Sequence, residues 1–350
     1  MPAAPPTPRD LVRAALRHEE TERLPYNFML SPPAERKLCE YLGVEDADAW
    51  VSPHLHFYGC SDKPLYARPE KYGPTITDQW GVVWATSEID RGYPVTHPLR
   101  DDEDLSTYPW PDPLEPRRWE RVADNAQQHP ERFRVAVIGD LWERAQFLCG
   151  LDTLLLALRE RPAFVHKLLE RIVEYNLTTL QRITQHSPDA IFLSDDYGLQ
   201  RSLMMSPKDW RHFIKPHLMT LFGEAHRRGC LTMLHSCGCV TEIVPDLIAL
   251  GLDILHPIQP EAMDITCLKR EYGADLTFCG GLNTQQLLPC GTPEEIRQEV
   301  NRLGRVMGLG GGYILEPGIT VQADVPVENL IAAVEAAKGF RRSQRWADGH

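Results

Sequence analysis

The sequence predicts an α/β protein folded as a (β/α)8 barrel of the TIM type, and three observations lead there. Eight short runs of strand character centre near residues 25, 55, 135, 191, 232, 254, 277 and 313. From the third onward each run is followed by helix, the rhythm of a parallel sheet, and eight such units are what a closed barrel requires. Residues able to do chemistry crowd the ends of these strands, where parallel α/β proteins bind and react. A doubly wound open sheet is the alternative, but no GxGxxG follows any strand.

The elements follow in order. Residues 1–8 are rich in Pro and Ala and read as loose. Thr7 and Pro8 open a helix with Asp10 in its first turn and Leu11, Val12, Ala15 and Leu16 on one face. Leu24–Met29 is the first strand. Ser31 then caps a helix that buries Leu38 and Leu42. His54–Tyr58 is the second strand, ended by Gly59 and leading to Asp62. Residues 75–95 break the rhythm: alternating β-branched and aromatic residues predict a small inserted hairpin or sheet. Residues 98–118, acidic and Pro-rich, read as an ordered surface connection of the length that serves as a lid or binding loop.

Arg134–Ile138 is a strand ending at Gly139-Asp140, with two helices across 142–186. Ala190–Leu193 ends in Ser194-Asp195-Asp196-Tyr197-Gly198. Ser206-Pro207 opens a helix reaching Arg228. Leu231–Leu234 runs straight into His235-Ser236-Cys237-Gly238-Cys239. Helices over 241–250, 264–272, from Thr292, and over 326–339 alternate with strands at Asp253–His256, Leu276–Cys279 and Gly312–Leu315. All 350 residues read as a single barrel domain.

Composition narrows the function. A formal charge of −12 argues against nucleic-acid binding and against attraction to anionic lipid surfaces. No 18-residue apolar run predicts a membrane span, and the N-terminus lacks the order of a signal peptide. Nine scattered cysteines read as reduced thiols, so a cytoplasmic protein is expected.

If the barrel closes, Asn27, Asp62, Asp140, Asp195, Asp196, His235, Cys237, His256, Gln259, Cys279 and Glu316 share its carboxyl-terminal face. Buried charges must be paired or bound to metal, so such a gathering points to a site. His235 and Cys237, an HxC at a strand end, suit zinc. Glu316 is the preferred third ligand and Cys279 the second choice. Three ligands leave a position open for substrate. Asp195 and Asp196 are adjacent, so they point to opposite sides and one looks inward as base or anchor; the other reading of the inward residue is a helix cap. Trp80 and Trp84 either roof a flat ligand or pack locally.

Several phrases together resemble a known family: TPRDLVRAALRHEETERLPYNF (7–28), TDQWGVVW (77–84), SDDYGLQRSLMMSPKDWRHFIKP (194–216), LHSCG (234–238), FCGGLNTQQLLPCGTPEEI (278–296) and GGYILEPGITVQADVPVENL (311–330). They are similar to the uroporphyrinogen decarboxylase superfamily, and closer to its cobalamin-linked methyltransferases than to the haem-pathway decarboxylase. The decarboxylase grips its substrate with an Arg-Gln-Ala-Gly-Arg stretch after the first strand, where this chain reads Asn27-Phe28-Met29-Leu30-Ser31. It also carries a histidine after the last strand, where this chain has Glu316-Pro317-Gly318. Only Asp62 falls where its essential aspartate stands. The methyltransferases bind zinc through His-x-Cys and a cysteine in a Pro-Gly-Cys turn; His235 and Cys237 match, whereas Pro317-Gly318 is followed by Ile319 and Glu316 takes the missing place.

The resemblance implies zinc-assisted methyl transfer between a corrinoid protein and a thiol or a methylated or methoxylated small molecule. His235, Cys237 and Glu316 or Cys279 would hold zinc. Asp62, Asp195 and Asp196 would be catalytic, and Asn27, Trp80, Tyr197, His256 and Gln259 would bind substrate. The corrinoid would arrive on a partner protein, and a homodimer is expected by analogy. The alternative is a metal-independent decarboxylase or lyase acting on a small carboxylic acid; a non-catalytic corrinoid-docking protein is a third reading.

Overall fold

The computed structural model describes residues 6–60, 65–87, 91–101 and 104–342. Asp62, residues 1–5 of the expected loose terminus, and parts of the expected hairpin (88–90) and of the expected surface connection (102–103) lie outside them. Among the described residues ten strands form: β1 (Leu55–Gly59), β2 (Thr75–Thr77), β3 (Val83–Ala85), β4 (Pro94–Thr96), β5 (Phe133–Gly139), β6 (Ala190–Ser194), β7 (Leu231–His235), β8 (Ile254–Ile258), β9 (Thr277–Leu282) and β10 (Tyr313–Pro317). Seven form the main sheet in chain order, β1 followed by β5 to β10, and β2-β3-β4 form a separate antiparallel sheet. The α/β class is as expected, and residues 75–95 do make a small sheet outside the rhythm.

Two compact units divide the chain: Met1–His56, His129–Phe133 and Asp253–His350 form one, Phe57–Gln128 and Arg134–Leu252 the other. In the second, β5, β6 and β7 pair in parallel, and the register sets Ser194 level with His235. Residues along them, such as Val135, Ala190, Met233 and Leu234, are fully buried. In the first unit β8, β9 and β10 pair in parallel. Their burial is continuous rather than alternating, as expected where both faces of a parallel sheet are covered.

The expected first strand differs. Among the described residues seven strands, not eight, enter the main sheet. Leu24–Met29 runs as extended chain beside β10, joined by the bridges Tyr26↔Leu315 and Leu30↔Val321. Leu315 N donates to Pro25 O and Asn27 N donates to Leu315 O, both at 2.9 Å, and Val321 is held in the same way by Met29 O and Ser31 N; Pro25 itself, with no amide hydrogen, can add no donor before Tyr26.

The helices bear out their caps. Thr7 and Asp10 form a reciprocal capping box on Pro8–Leu16, and Thr292 with Glu295 forms another on Pro293–Val306. Leu42 is exposed, not buried, because it closes a helix already ended by Gly43. The stretch 142–183 holds three helices rather than two, Trp142–Cys149, Leu151–Glu160 and Pro162–Ile183; Gly150 and Pro162 punctuate them. No helix among the described residues is long and apolar enough to cross a membrane.

Candidate metal centre and its surroundings

β6 and β7 end level, so the residues that follow them meet. The carbonyl of His235 accepts from Asp195 N at 3.2 Å, and Cys239 N donates to Leu199 O at 2.7 Å. The Ser236 hydroxyl, fully buried, accepts from Tyr197 N at 2.9 Å. Gly198 and Gly238 lie against each other: a Cβ on Gly238 would come within 2.4 Å of the Gly198 carbonyl carbon, and Gly238 has φ +78. Two loops this close require glycine at their contact.

This clamp brings Asp196, His235 and Cys237 together. Asp196 Oδ1 accepts from Cys237 N at 2.7 Å and stands 3.5 Å from His235 Nε2, which is 3.4 Å from Cys237 Sγ. A tetrahedral zinc with ligands at about 2.0–2.3 Å spaces its donor atoms about 3.3–3.8 Å apart, so nitrogen, sulfur and oxygen here have both the chemistry and the spacing for zinc. Side-chain exposures of 23% for His235 and 21% for Asp196 leave the group reachable. Burial, with the Asp196 charge, pushes the Cys237 thiol well above its ordinary range.

Asp195 goes the other way, as adjacency demands. Fully buried, its carboxylate accepts from Trp142 N (3.0 Å), Glu143 N (2.6 Å) and the Tyr197 hydroxyl (2.6 Å). It thus caps helix Trp142–Cys149, whose own N-cap position is Leu141 and has no side-chain cap. Burial pushes its carboxyl up to about 7, against the pull of the three hydrogen bonds. Tyr197 is spent on Asp195 and is itself fully buried.

In the other unit a second group forms on β8, β9 and β10. Glu316 Oε2 accepts from the Cys279 thiol at 3.0 Å and lies 3.3 Å from His256 Nε2; Oε1 accepts from Asn27 Nδ2 at 2.9 Å. All four side chains are buried. Burial and Glu316 push the Cys279 thiol well above its ordinary range. Thus the four residues singled out as zinc ligands fall into two groups: His235 and Cys237 with Asp196, and Cys279 and Glu316 with His256. Gln259 is buried one residue beyond β8.

Trp80 is enclosed by protein, with Tyr175 at 4.5 Å between centroids and the Arg144 guanidinium 4.8 Å over its ring. Trp84 donates from Nε1 to Asp78 Oδ2 at 2.9 Å and packs on Phe147. Sequence reasoning passed over Ser236, Trp142 and Glu143. The signal available was a helix start at 142 with no Ser, Thr, Asp or Asn at its N-cap, which demands a cap from elsewhere.

Comparison with known proteins identifies the family and the fold. A methyltransferase structure from Methanosarcina mazei superposes with a TM-score of 0.69, covering 96% of this chain and 99% of that one at 19% identity, which establishes a shared fold. Among curated proteins, the methylated-thiol–coenzyme M methyltransferase of M. mazei is 24% identical over 199 residues, 55% of this chain and 50% of that protein. A uroporphyrinogen decarboxylase of Psychromonas ingrahamii is 24% identical over 183 residues, 50% of this chain and 48% of that protein. The chain spans about half the length of the curated relatives it matches. The uroporphyrinogen decarboxylase (URO-D) family model matches residues 81–340, most of the chain including both groups' strands, and the protein therefore belongs to the URO-D family.

Proposed function

We propose that this enzyme is a zinc-assisted methyltransferase, moving a methyl group between a corrinoid carried by a partner protein and a thiol or a methylated or methoxylated small molecule. The observation that carries the reading is the convergence of Asp196, His235 and Cys237 at zinc-like spacing, in a partly exposed position at the ends of β6 and β7. The M. mazei methyltransferase relative supports it. Asp196 replaces Glu316 and Cys279 as the proposed third ligand.

When bound, the metal supplies a Lewis acid that holds a thiol as thiolate near neutral pH. The chain's residues do the rest. His235 and Cys237 fix the position, and the Cys237 amide orients the Asp196 carboxylate. Ser236 and the Gly198–Gly238 contact keep both loops still. Asp195 acts as a positioning residue, holding the β6 loop to helix Trp142–Cys149. In the thiol direction the methyl group leaves cobalt for sulfur, the electron pair of the broken bond stays on cobalt, and the thiol proton passes to solvent.

A second reading, a metal-independent decarboxylase or lyase for a small acid, is favoured by one observation: the Asp195 carboxyl is fully buried beside the β6 loop, and burial pushes it up to about 7. The two separate cleanly. His235→Ala and Cys237→Ser should each lose one zinc equivalent per chain by elemental analysis, and with it the conversion of methylcobalamin plus thiol to demethylated cobalamin and thioether. Full metal content and activity in His235→Ala would sink the methyltransferase reading; decarboxylation that persists without metal would establish the second.

A further inference from the structure

Hydrogen bonding explains part of the group on β8 to β10. Glu316 receives Asn27 on one oxygen and Cys279 on the other, with His256 3.3 Å away. It does not explain Asn27 Oδ1, which is buried in a side chain only 1% exposed and accepts no hydrogen bond. Buried acceptors of this kind are rare and need a partner. Turning the amide over gives no relief, because the carbonyl would then face the Glu316 carboxylate.

The donor set supplies the missing partner's chemistry. One imidazole nitrogen, one sulfur and one carboxylate oxygen lie within 4.8 Å of one another, and the orphaned amide oxygen belongs to a side chain bonded to the same carboxylate. As thiolate and carboxylate, Cys279 and Glu316 bring two negative charges, which cancel those of a divalent cation and make it tolerable at this depth. Four protein donors with no open position are the mark of a structural zinc.

We propose that His256, Cys279, Glu316 and Asn27 form a second, closed zinc site with a structural role, independent of the methyl-transfer reading. Binding exchanges the Cys279 thiol proton for the metal, Cys–SH + Zn2+ giving Cys–S–Zn+ and H+, with no change of oxidation state. A metal this deep would load as the chain folds, so the protein is made in zinc-supplemented medium.

Elemental analysis then counts sites. Wild type should carry two zinc per chain and the His235→Ala/Cys237→Ser protein one; adding Cys279→Ser and Glu316→Gln should remove that one. The His235→Ala/Cys237→Ser protein grown on cobalt(II) should show a thiolate-to-cobalt charge-transfer band, a readout that leaves the buried group unaltered should its own variants fail to fold. A single zinc lost equally by either pair of substitutions would mean one shared ligand set and overturn the proposal. So would cobalt-free His235→Ala/Cys237→Ser protein, or bound cobalt with no thiolate band. One zinc retained by the His235→Ala/Cys237→Ser protein, together with no methyl transfer by the wild type, would uphold this site while refuting the proposed reaction.

Discussion

The Asp196–His235–Cys237 group and the His256–Cys279–Glu316 group use the same three donor types, yet they are built oppositely. The first sits on the last residue of β7 and the loops after β6 and β7, with the His235 and Asp196 side chains about one-fifth exposed; the second sits within β8 to β10, with His256 and Glu316 side chains at 6% and 2%. In the first, Asp196 is held by a backbone amide; in the second, Glu316 is held by side chains alone. A site on strand-end loops exchanges with solvent and substrate, whereas one inside the ladder exchanges with nothing once folded. Exposure, more than ligand identity, separates a place for chemistry from a place for cohesion.

That contrast ranks the expected effects on stability. Glu316→Ala should be the most damaging, about 3–5 kcal/mol by denaturant unfolding, because it strands Asn27, His256 and Cys279 in the interior. Gly238→Ala should follow: strain at φ +78 costs about 1–3 kcal/mol, and the clash with Gly198 forces the two loops apart, so zinc binding should fail with it. Were Gly238→Ala protein to keep full metal content, the loop clamp would not be what positions the ligands.

Asp195→Asn should cost about 1–2 kcal/mol, because Trp142 N and Glu143 N bond to different oxygens of the carboxyl group and the amide keeps only one acceptor for them. It should also change the pH dependence. With the folded carboxyl near 7 and the unfolded one near its ordinary 3.8, the native state keeps a proton that the unfolded chain has released between those values. Asp195's contribution to stability therefore falls as pH rises from about 4 to 7 and is level above. Thermal unfolding across that window should show the slope in wild type and lack it in Asp195→Asn; equal slopes would refute the assignment. Asp196→Asn, on the exposed side, should change stability by no more than about 0.5 kcal/mol, yet lower zinc affinity at least about 10-fold by competition with a chelator.

The two groups also differed in how readable they were. HxC after an apolar run marked His235 and Cys237 because strand ends follow from local pattern, and the adjacency of Asp195 and Asp196 already required them to diverge. Which carboxylate joins which histidine was not readable, since partner choice depends on register between segments tens of residues apart, such as Ser194↔His235. Glu316 looked free to join His235 on residue type; its hydrogen bonds to Asn27 and Cys279 are long-range packing that no local pattern encodes. The chain near Leu24–Met29 read as a strand by composition, and it pairs beside β10 through the isolated bridges Tyr26↔Leu315 and Leu30↔Val321. The family resemblance carried what periodicity alone did not, the expectation of methyl transfer.

The cap that Asp195 places on helix Trp142–Cys149 has a consequence for synthesis. A chain emerging from its amino end completes that helix some fifty residues before its cap exists. An eight-residue helix without a cap is marginal in water, so it should flicker until β6 is made. The arrival of Asp195 would then settle two things together: the helix start and the loop that sets Asp196 against His235. Order in this part of the molecule would come late and all at once, and a nascent chain halted before residue 195 should remain open to protease near Trp142.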